Sequence, residues 1–386
     1  MILYGKNPEY IYLTDPAGLG DLLALCQRYQ MAGPIRQSAI AWLLLMDENP
    51  FSLACERREV KETAEAGSLA AFAQRDIGEL AELFFDLTPP YDVEFRPMPA
   101  AESSDGGVGR IAAALADDLR KAGRDGFFET LLSYYTRYGV GEFGLHRAFY
   151  LSEDGKILPV SHFRSVTFQD LWGYELQKGQ VIANTESFLA GHGANNMLLY
   201  GDAGTGKSTC VKALLNRYYK NGLRMIQVQK YQFVHLGAII DIIRRRNYAF
   251  AIYMDDLSFE DFEVEYKYLK AAIEGGLCER PSNMLIIATS NRRHLIKETF
   301  NEREGGGDIH RDESIQEKIS LSDRFGLQVR FGKPMQDEYF EMVLHLARLH
   351  GIDMEEKALL DGAKAFSVRH SGMSGRIAMQ YILGLE

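Results

Sequence analysis

Gly201-Asp202-Ala203-Gly204-Thr205-Gly206-Lys207-Ser208 constrains the fold of this chain more than any other stretch. Glycines at these positions let the backbone curl until successive amide hydrogens face one point, and a following helix aims its positive end at the same point. Such a loop binds phosphate only when a strand delivers it and a helix leaves it. Both are written here: Asn196-Met197-Leu198-Leu199-Tyr200 reads as a buried strand, and Thr209-Cys210-Val211-Lys212-Ala213-Leu214-Leu215 reads as a helix. The candidate nucleotide contacts are therefore Gly201 to Ser208 together with Thr209 in the first helical turn. Lys207 is expected at the β and γ phosphates of a nucleoside triphosphate, and the Ser208 hydroxyl on Mg2+.

From about residue 164, apolar strands alternate with amphipathic helices, the pattern of a parallel sheet covered on both faces. Expected strands are 197–200, 224–229, 250–254, 284–289 and 326–331, and ligands gather at their carboxyl ends. Two of these ends carry further chemistry. Phe250 to Met254 runs into Asp255-Asp256, 48 residues after Lys207, which is one strand-helix-strand step. Asp255 is the candidate metal ligand opposite Ser208, and Asp256 the group that orients or deprotonates the attacking water. Met284 to Ser290 ends at Asn291, placed to bond the γ-phosphate or that water. Leu236, Ile239, Ile240 and Ile243 mark a helix closed by Arg244-Arg245-Arg246, a triplet that suits the helix dipole better than it argues for nucleic acid.

The first part reads as mostly helical. Leu69, Phe72, Ala73, Leu80, Leu83, Phe84 and Leu87 form one core stripe; Ile111, Leu115 and Leu119, then Phe128, Leu131, Leu132 and Tyr135, continue the spacing. A Pro- and Gly-rich connector over 90–108 suggests a subdomain boundary, and 148–151 with 156–160 suggests a hairpin around Asp154-Gly155. Residues 1–163 hold 15 basic and 24 acidic residues, whereas the remainder holds 28 and 29. The acidic half is a poor grip for a phosphate backbone. Ala39 to Met46 is too short for a bilayer span and the N-terminus lacks a signal-peptide layout, so a cytoplasmic protein is expected. Cys26, Cys55, Cys210 and Cys278 have neither metal-type nor disulfide-type spacing and read as buried small residues.

Taken together, residues 165–386 resemble the AAA+ ATPases. Phe168-Gln169-Asp170-Leu171-Trp172-Gly173-Tyr174 resembles the segment beside the adenine in that family. Asn291 resembles its sensor 1, Ser320 to Gly326 the box carrying the arginine finger at Arg324, and Ser374-Gly375-Arg376 its sensor 2. From about residue 125 the chain also resembles a bacterial ATP-binding family known only as a domain of unknown function, through Gly139-Val140-Gly141, Asn184 to Phe188, Ser290 to His294 and Glu317 to Gly326.

The resemblance implies a P-loop AAA+ α/β domain over 164–334, a small helical lid over 335–386, and a mostly helical N-terminal domain over 1–163. It implies ATP and Mg2+ as cofactors, with Arg376 on the nucleotide. Arg324 is expected to reach the site of a neighbouring copy in a homo-oligomer, commonly of six. Two departures stand out. Asp256 occupies a place usually held by glutamate, as in the replication-initiator and helicase-loader branch, with Glu260 a lesser candidate for the base. Lys230 to Gly237 lacks the aromatic-apolar-glycine order of a threading loop and reads as a helix entry. Gly305-Gly306-Gly307 and the charges around His310 read as a loop before the finger.

Three functions stay open: an ATPase that remodels or loads a protein partner, an ATP-dependent switch on nucleic acid, and a small-molecule kinase on a P-loop core.

Overall fold

A computed structural model describes residues 10–14, 18–59, 64–91, 93–98, 106–161, 163, 166–259, 263–274, 280–293, 295, 321–370 and 372–385. The chain forms two compact units, Met1–His146 with Pro159–His162, and Arg147–Leu158 with Phe163–Glu386.

The first unit is built around a helix that has no outside. Ile35–Met46 carries Ala, Ile, Trp and Leu on every side, and all its residues from Ile35 to Leu45 are buried. A helix apolar all round is stable only when other helices enclose it. Leu19–Arg28, Ala64–Phe85, Gly106–Tyr138 and Gly141–Leu145 do so, Gly106–Tyr138 bending at Gly123, where φ is 68°, and Pro50–Glu56 packs on two of these helices. The central helix's buried Arg36 and Gln37 each donate a hydrogen bond, as burial requires, while Arg36 Nε, Gln37 Oε1 and Trp42 Nε1 have no hydrogen-bond partner among the described residues. Arg36 donates to the Asp86 carboxylate at 2.9 Å and lies 3.6 Å over the Tyr91 ring. Gln37 donates to the Phe84 carbonyl, and the Tyr135 hydroxyl to that of Leu44 at 2.7 Å. Asn49 caps the next helix by accepting from the Phe51 and Ser52 amides, with Pro50 at the first helical position.

Helices on both sides of the 90–108 segment contribute to this one core, and a short antiparallel pair, β1 (Gly33–Pro34) with β2 (Glu94–Phe95), ties the segment down. Two residues of the expected core stripe lie at the surface: Phe72 is 51% and Leu87 43% exposed. Phe72 sits on the outer edge of its apolar stripe, where helical spacing alone does not separate core from rim, and Leu87 lies past the end of the helix Ala64–Phe85. Cys26, Cys55 and Cys210 are buried, and burial pushes each thiol up to about 12, so they pack as inert small residues. Cys278, Glu260, His310 and Gly305 to Gly307 lie outside the described residues.

The second unit carries β3 (Ala148–Leu151), β4 (Ile157–Pro159), β5 (Met197–Gly201), β6 (Leu223–Gln227), β7 (Ala249–Met254), β8 (Met284–Ser290) and β9 (Leu327–Phe331) in one sheet ordered β4-β3-β6-β7-β8-β5-β9. The pairings β3·β6, β6·β7, β7·β8, β8·β5 and β5·β9 are all parallel. Continuous apolar runs explain this: all of β8 and all but Ala249 of β7 are buried, as in a sheet covered on both faces. The expected hairpin exists, but its first strand pairs with β6, so a boundary at residue 163 falls after two strands of this sheet.

After β5 the chain builds β6, β7 and β8 to one side of it and β9 to the other. That switch of direction opens a crevice at the carboxyl ends of β5 and β8.

Gln336–Leu349, Glu356–Arg369 and Gly375–Leu383 make the small helical lid, with Tyr339, Val343, Ala363, Ala378 and Ile382 at its centre. The expected parallel sheet, preceded by mostly helical structure and followed by a small group of helices, is found. No described helix is long and apolar enough to cross a membrane.

Candidate functional site

The glycine-rich loop leaves β5 at Gly201 and enters the helix Lys207–Tyr218. Two of its glycines are required by geometry. Gly206 caps the helix at φ 94°, and a Cβ there would meet the Leu171 side chain. At Gly201 a Cβ would collide with the Phe331 carbonyl on the neighbouring strand. Asp202 then continues the sheet, its amide donating to that carbonyl at 3.2 Å, while its carboxylate accepts from the Lys333 amide.

Around this loop lies a cavity of about 630 Å3. Ala203 to Thr209 form its floor, and Asp255, Asp256, Thr289 and Asn291 stand at the strand ends. Leu171, Trp172 and Tyr174 close one side and Met342, Met379 and Arg376 of the lid another. The mixture suits a ligand with one apolar and one highly charged end. Tyr174 takes φ 59°, an uncommon conformation for a bulky residue. It is held by its hydroxyl on the Gly332 carbonyl at 2.8 Å and by its ring against Phe331.

The charged groups form two linked sets. Lys207 donates to the carbonyls of Gly201 and Asp202 at 2.8 and 2.7 Å and to Asn291 Oδ1 at 3.1 Å. Asn291 passes the contact on, its Nδ2 donating to Asp256 Oδ1 at 2.7 Å. Burial lowers the Lys207 ammonium below its ordinary value, with Asp256, Asp202 and Asp255 opposing and Arg376 adding to the fall. In the second set Asp255 Oδ1 accepts from Ser208 at 2.7 Å and from Thr289 at 2.6 Å, and Thr289 Oγ1 in turn accepts from the Asp256 amide at 3.0 Å. Ser208 and Asp255 thus present two hard oxygens side by side, the donor set Mg2+ prefers, at the mouth of a loop shaped for phosphates. The residues fit a Mg2+-nucleotide.

Thr289 is a member of this site that sequence reasoning misses. Its only sequence signal is a polar residue ending a buried strand. Burial alone would raise the Asp255 pKa, but the neighbouring hydroxyls of Thr289, Tyr253 and Ser208 outweigh it and hold the carboxyl below its ordinary value. A lowered pKa stabilises the fold above the ordinary carboxylate range of about 4, and that contribution disappears as pH falls through the lower folded value. Thr289→Val is therefore expected to cost about 1–3 kcal/mol in metal-free protein at neutral pH and progressively less in acid. Melting curves in chelator from pH 7 to pH 3 check this; a constant deficit at every pH would assign the loss to packing.

Arg376, second residue of the helix Gly375–Leu383, lines the cavity, and its amide donates to the Gly204 carbonyl at 3.2 Å. The structure thus brings together every expected site residue except one. Arg324 is not in the wall of this cavity; its guanidinium bonds Glu274 at 2.6 Å. Lys230 to His235 forms a 3-10 turn leading into the helix Leu236–Ile243, the helix entry expected. Beyond that helix Arg246 is tucked over Tyr248.

Residues 145–386 match the model of a family described as "Protein of unknown function (DUF815)". No curated protein matches the chain. Among solved structures it is similar to the RuvB Holliday junction branch migration motor of Thermotoga maritima, with 17% identity and a TM-score of 0.41, covering 57% of this chain and 64% of that one. A point-mutant form of the same RuvB gives 18% identity with the same score and coverage. The chain spans 64% of the length of these structures.

Proposed function

The chain belongs to the DUF815 family, and from that premise we propose that it is a Mg2+-dependent ATPase that works as a homo-oligomer on a protein partner. The observation that carries the reading is the chain Lys207–Asn291–Asp256. One amide touches the cation that meets the γ-phosphate and the carboxylate that meets the attacking water, so arrival of a γ-phosphate at Lys207 is felt at Asp256. Phosphoryl transfer needs little more than such positioning and charge neutralisation.

Each residue has one task. The backbone amides of Gly204 to Ser208 and the helix end cradle the phosphates, with Thr209 in the first turn behind them. Lys207 leaves two carbonyls and Asn291 to pair with the phosphate oxygens. Ser208 and Asp255 would hold Mg2+, which supplies charge neutralisation at the phosphates when bound. Asp256 accepts the proton of the water that Asn291 helps orient. Arg376 adds positive charge from the lid, and its bond to Gly204 couples loop to lid.

ATP with Mg2+ should raise the melting temperature by several degrees at saturating ligand, since a ligand bound only to the folded form stabilises it by mass action. Chelator should remove most of the gain, and phosphate release should follow when Mg2+ is returned. Equal melting curves with and without ATP·Mg2+ would sink the proposal.

The near-neutral charge of the nucleotide-binding part, against the acidic first part, favours a protein partner over nucleic acid. A kinase on a small molecule predicts no role for Arg324 in another copy, which the second result below decides.

A further inference from the structure

β9 ends at Phe331 and the first lid helix starts at Gln336, so Gly332-Lys333-Pro334-Met335 is the covalent link between sheet and lid. Its freedom is unevenly distributed. Pro334 fixes its own φ and holds Lys333 near the extended region, which leaves Gly332 as the soft point of the link. Nothing in the conformation seen calls for glycine there. Its φ is not positive, and a Cβ would have no atom within 4 Å outside the adjoining residues. Alanine fits this position of the lid, so what glycine adds is access to another.

The link is also held from both ends of the cavity. On the side of the glycine-rich loop, the Asp202 carboxylate accepts from the Lys333 amide at 3.2 Å, and the Asp202 amide donates to the Phe331 carbonyl at 3.2 Å. The carbonyl of Asp202 accepts from Lys207 at 2.7 Å, so a phosphate that draws Lys207 away acts on the same residue. On the apolar side Tyr174 lines the cavity, and its hydroxyl donates to the Gly332 carbonyl at 2.8 Å. Its φ of 59° is a strained conformation for a bulky residue, one that persists only where surrounding contacts impose it. The bond to Gly332 is one of those contacts. Arg376 and Met379 of the lid stand in the cavity wall, so a ligand that leaves by widening this gap turns the lid about the link.

We propose that Gly332 is the joint on which the lid moves and that Tyr174 is the positioning residue that sets it, its hydroxyl carrying the presence of a ligand at the apolar end of the cavity to the Gly332 carbonyl. The inference rests on the ATPase reading above. It adds the route by which a bound nucleotide reaches the lid.

Release of a fluorescent, slowly hydrolysed ATP analogue from its Mg2+ complex is timed after a chase of unlabelled ATP in native protein, Gly332→Ala and Tyr174→Phe, with ligand-free melting curves alongside. The two variants should move release in opposite directions. Gly332→Ala stiffens the joint and is expected to slow release about two- to fivefold, with an equal or higher melting temperature. Tyr174→Phe keeps the ring in the cavity wall, frees the link and is expected to speed release about two- to tenfold. Release from Gly332→Ala at the native rate overturns the joint, and release from Tyr174→Phe at the native rate overturns its positioning role. A lower melting temperature of Gly332→Ala also overturns the inference, because the glycine would then be required in the conformation seen. Native protein that binds no analogue overturns the ATPase reading, and this inference with it.

Discussion

Asp256→Asn should bind ATP and Mg2+ as the native protein does and turn ATP over about 10²–10⁴-fold more slowly, the range a positioned general base contributes. The substitution isolates the chemistry unusually well at this position. Asp256 has φ 50°, a left-handed conformation that Asp and Asn tolerate better than other side chains, so the backbone has no reason to move. The amide still offers an oxygen to Asn291 Nδ2, so the contact through Asn291 to Lys207 persists. The capacity to take a proton is lost together with the carboxylate charge that acts on Lys207. Equilibrium binding and single-turnover phosphate release, measured on the same preparation, separate the two properties. Turnover within tenfold of native would move the base elsewhere, with Glu260 the next candidate. The same variant, resting in its ATP-bound state, is also the form in which a protein partner should be captured by crosslinking.

Mixing Arg324→Ala chains with Lys207→Ala chains should restore ATPase activity that neither shows alone. Each loss is large for a different reason. Removing Lys207 strips the phosphates of their buried cation and leaves the Gly201 and Asp202 carbonyls without their donor. An arginine supplied to the transition state contributes about 10³–10⁵ in rate. Within one chain Arg324 lies outside the wall of the cavity and on Glu274, so the proposed finger role requires its effect on hydrolysis to come through another copy. In a mixed assembly an Arg324→Ala site with intact Lys207 meets a Lys207→Ala neighbour with an intact arginine. Random association in equal amounts gives about a quarter of native activity. Absence of any rescue, with both variants assembled, would confine the reaction to one chain and reopen the kinase reading.

The sheet-bearing unit and its candidate site are legible in the sequence because their signals are local. A loop of fixed spacing, two acids after one apolar run and an asparagine after another each occupy a few residues, and parallel strands announce themselves as unbroken apolar runs. What stays hidden depends on neighbours far apart in the chain. Thr289 matters because β7 and β8 lie side by side, and nothing within the run Ala288-Thr289-Ser290 says so. Tyr253 reads as one more large apolar residue until its hydroxyl is seen buried beside Asp255. The strand Ala148–Leu151 reads as half of an isolated hairpin, since its parallel partner begins about seventy residues later. Phe72 and Leu87 mislead for other reasons: periodicity gives a direction around the helix but neither how far the neighbouring helices reach, which exposes Phe72, nor where the helix stops, which is before Leu87.

The helix with no outside, Ile35–Met46, has a consequence for how this protein can change over generations. None of its buried residues from Ile35 to Leu45 can serve as a recognition surface, and each is answerable only to the helices that enclose it. The outward faces of those enclosing helices carry no such obligation. Substitutions on those faces are therefore expected to cost little stability, whereas truncating a large side chain between Ile35 and Leu45 is expected to cost about 2–5 kcal/mol.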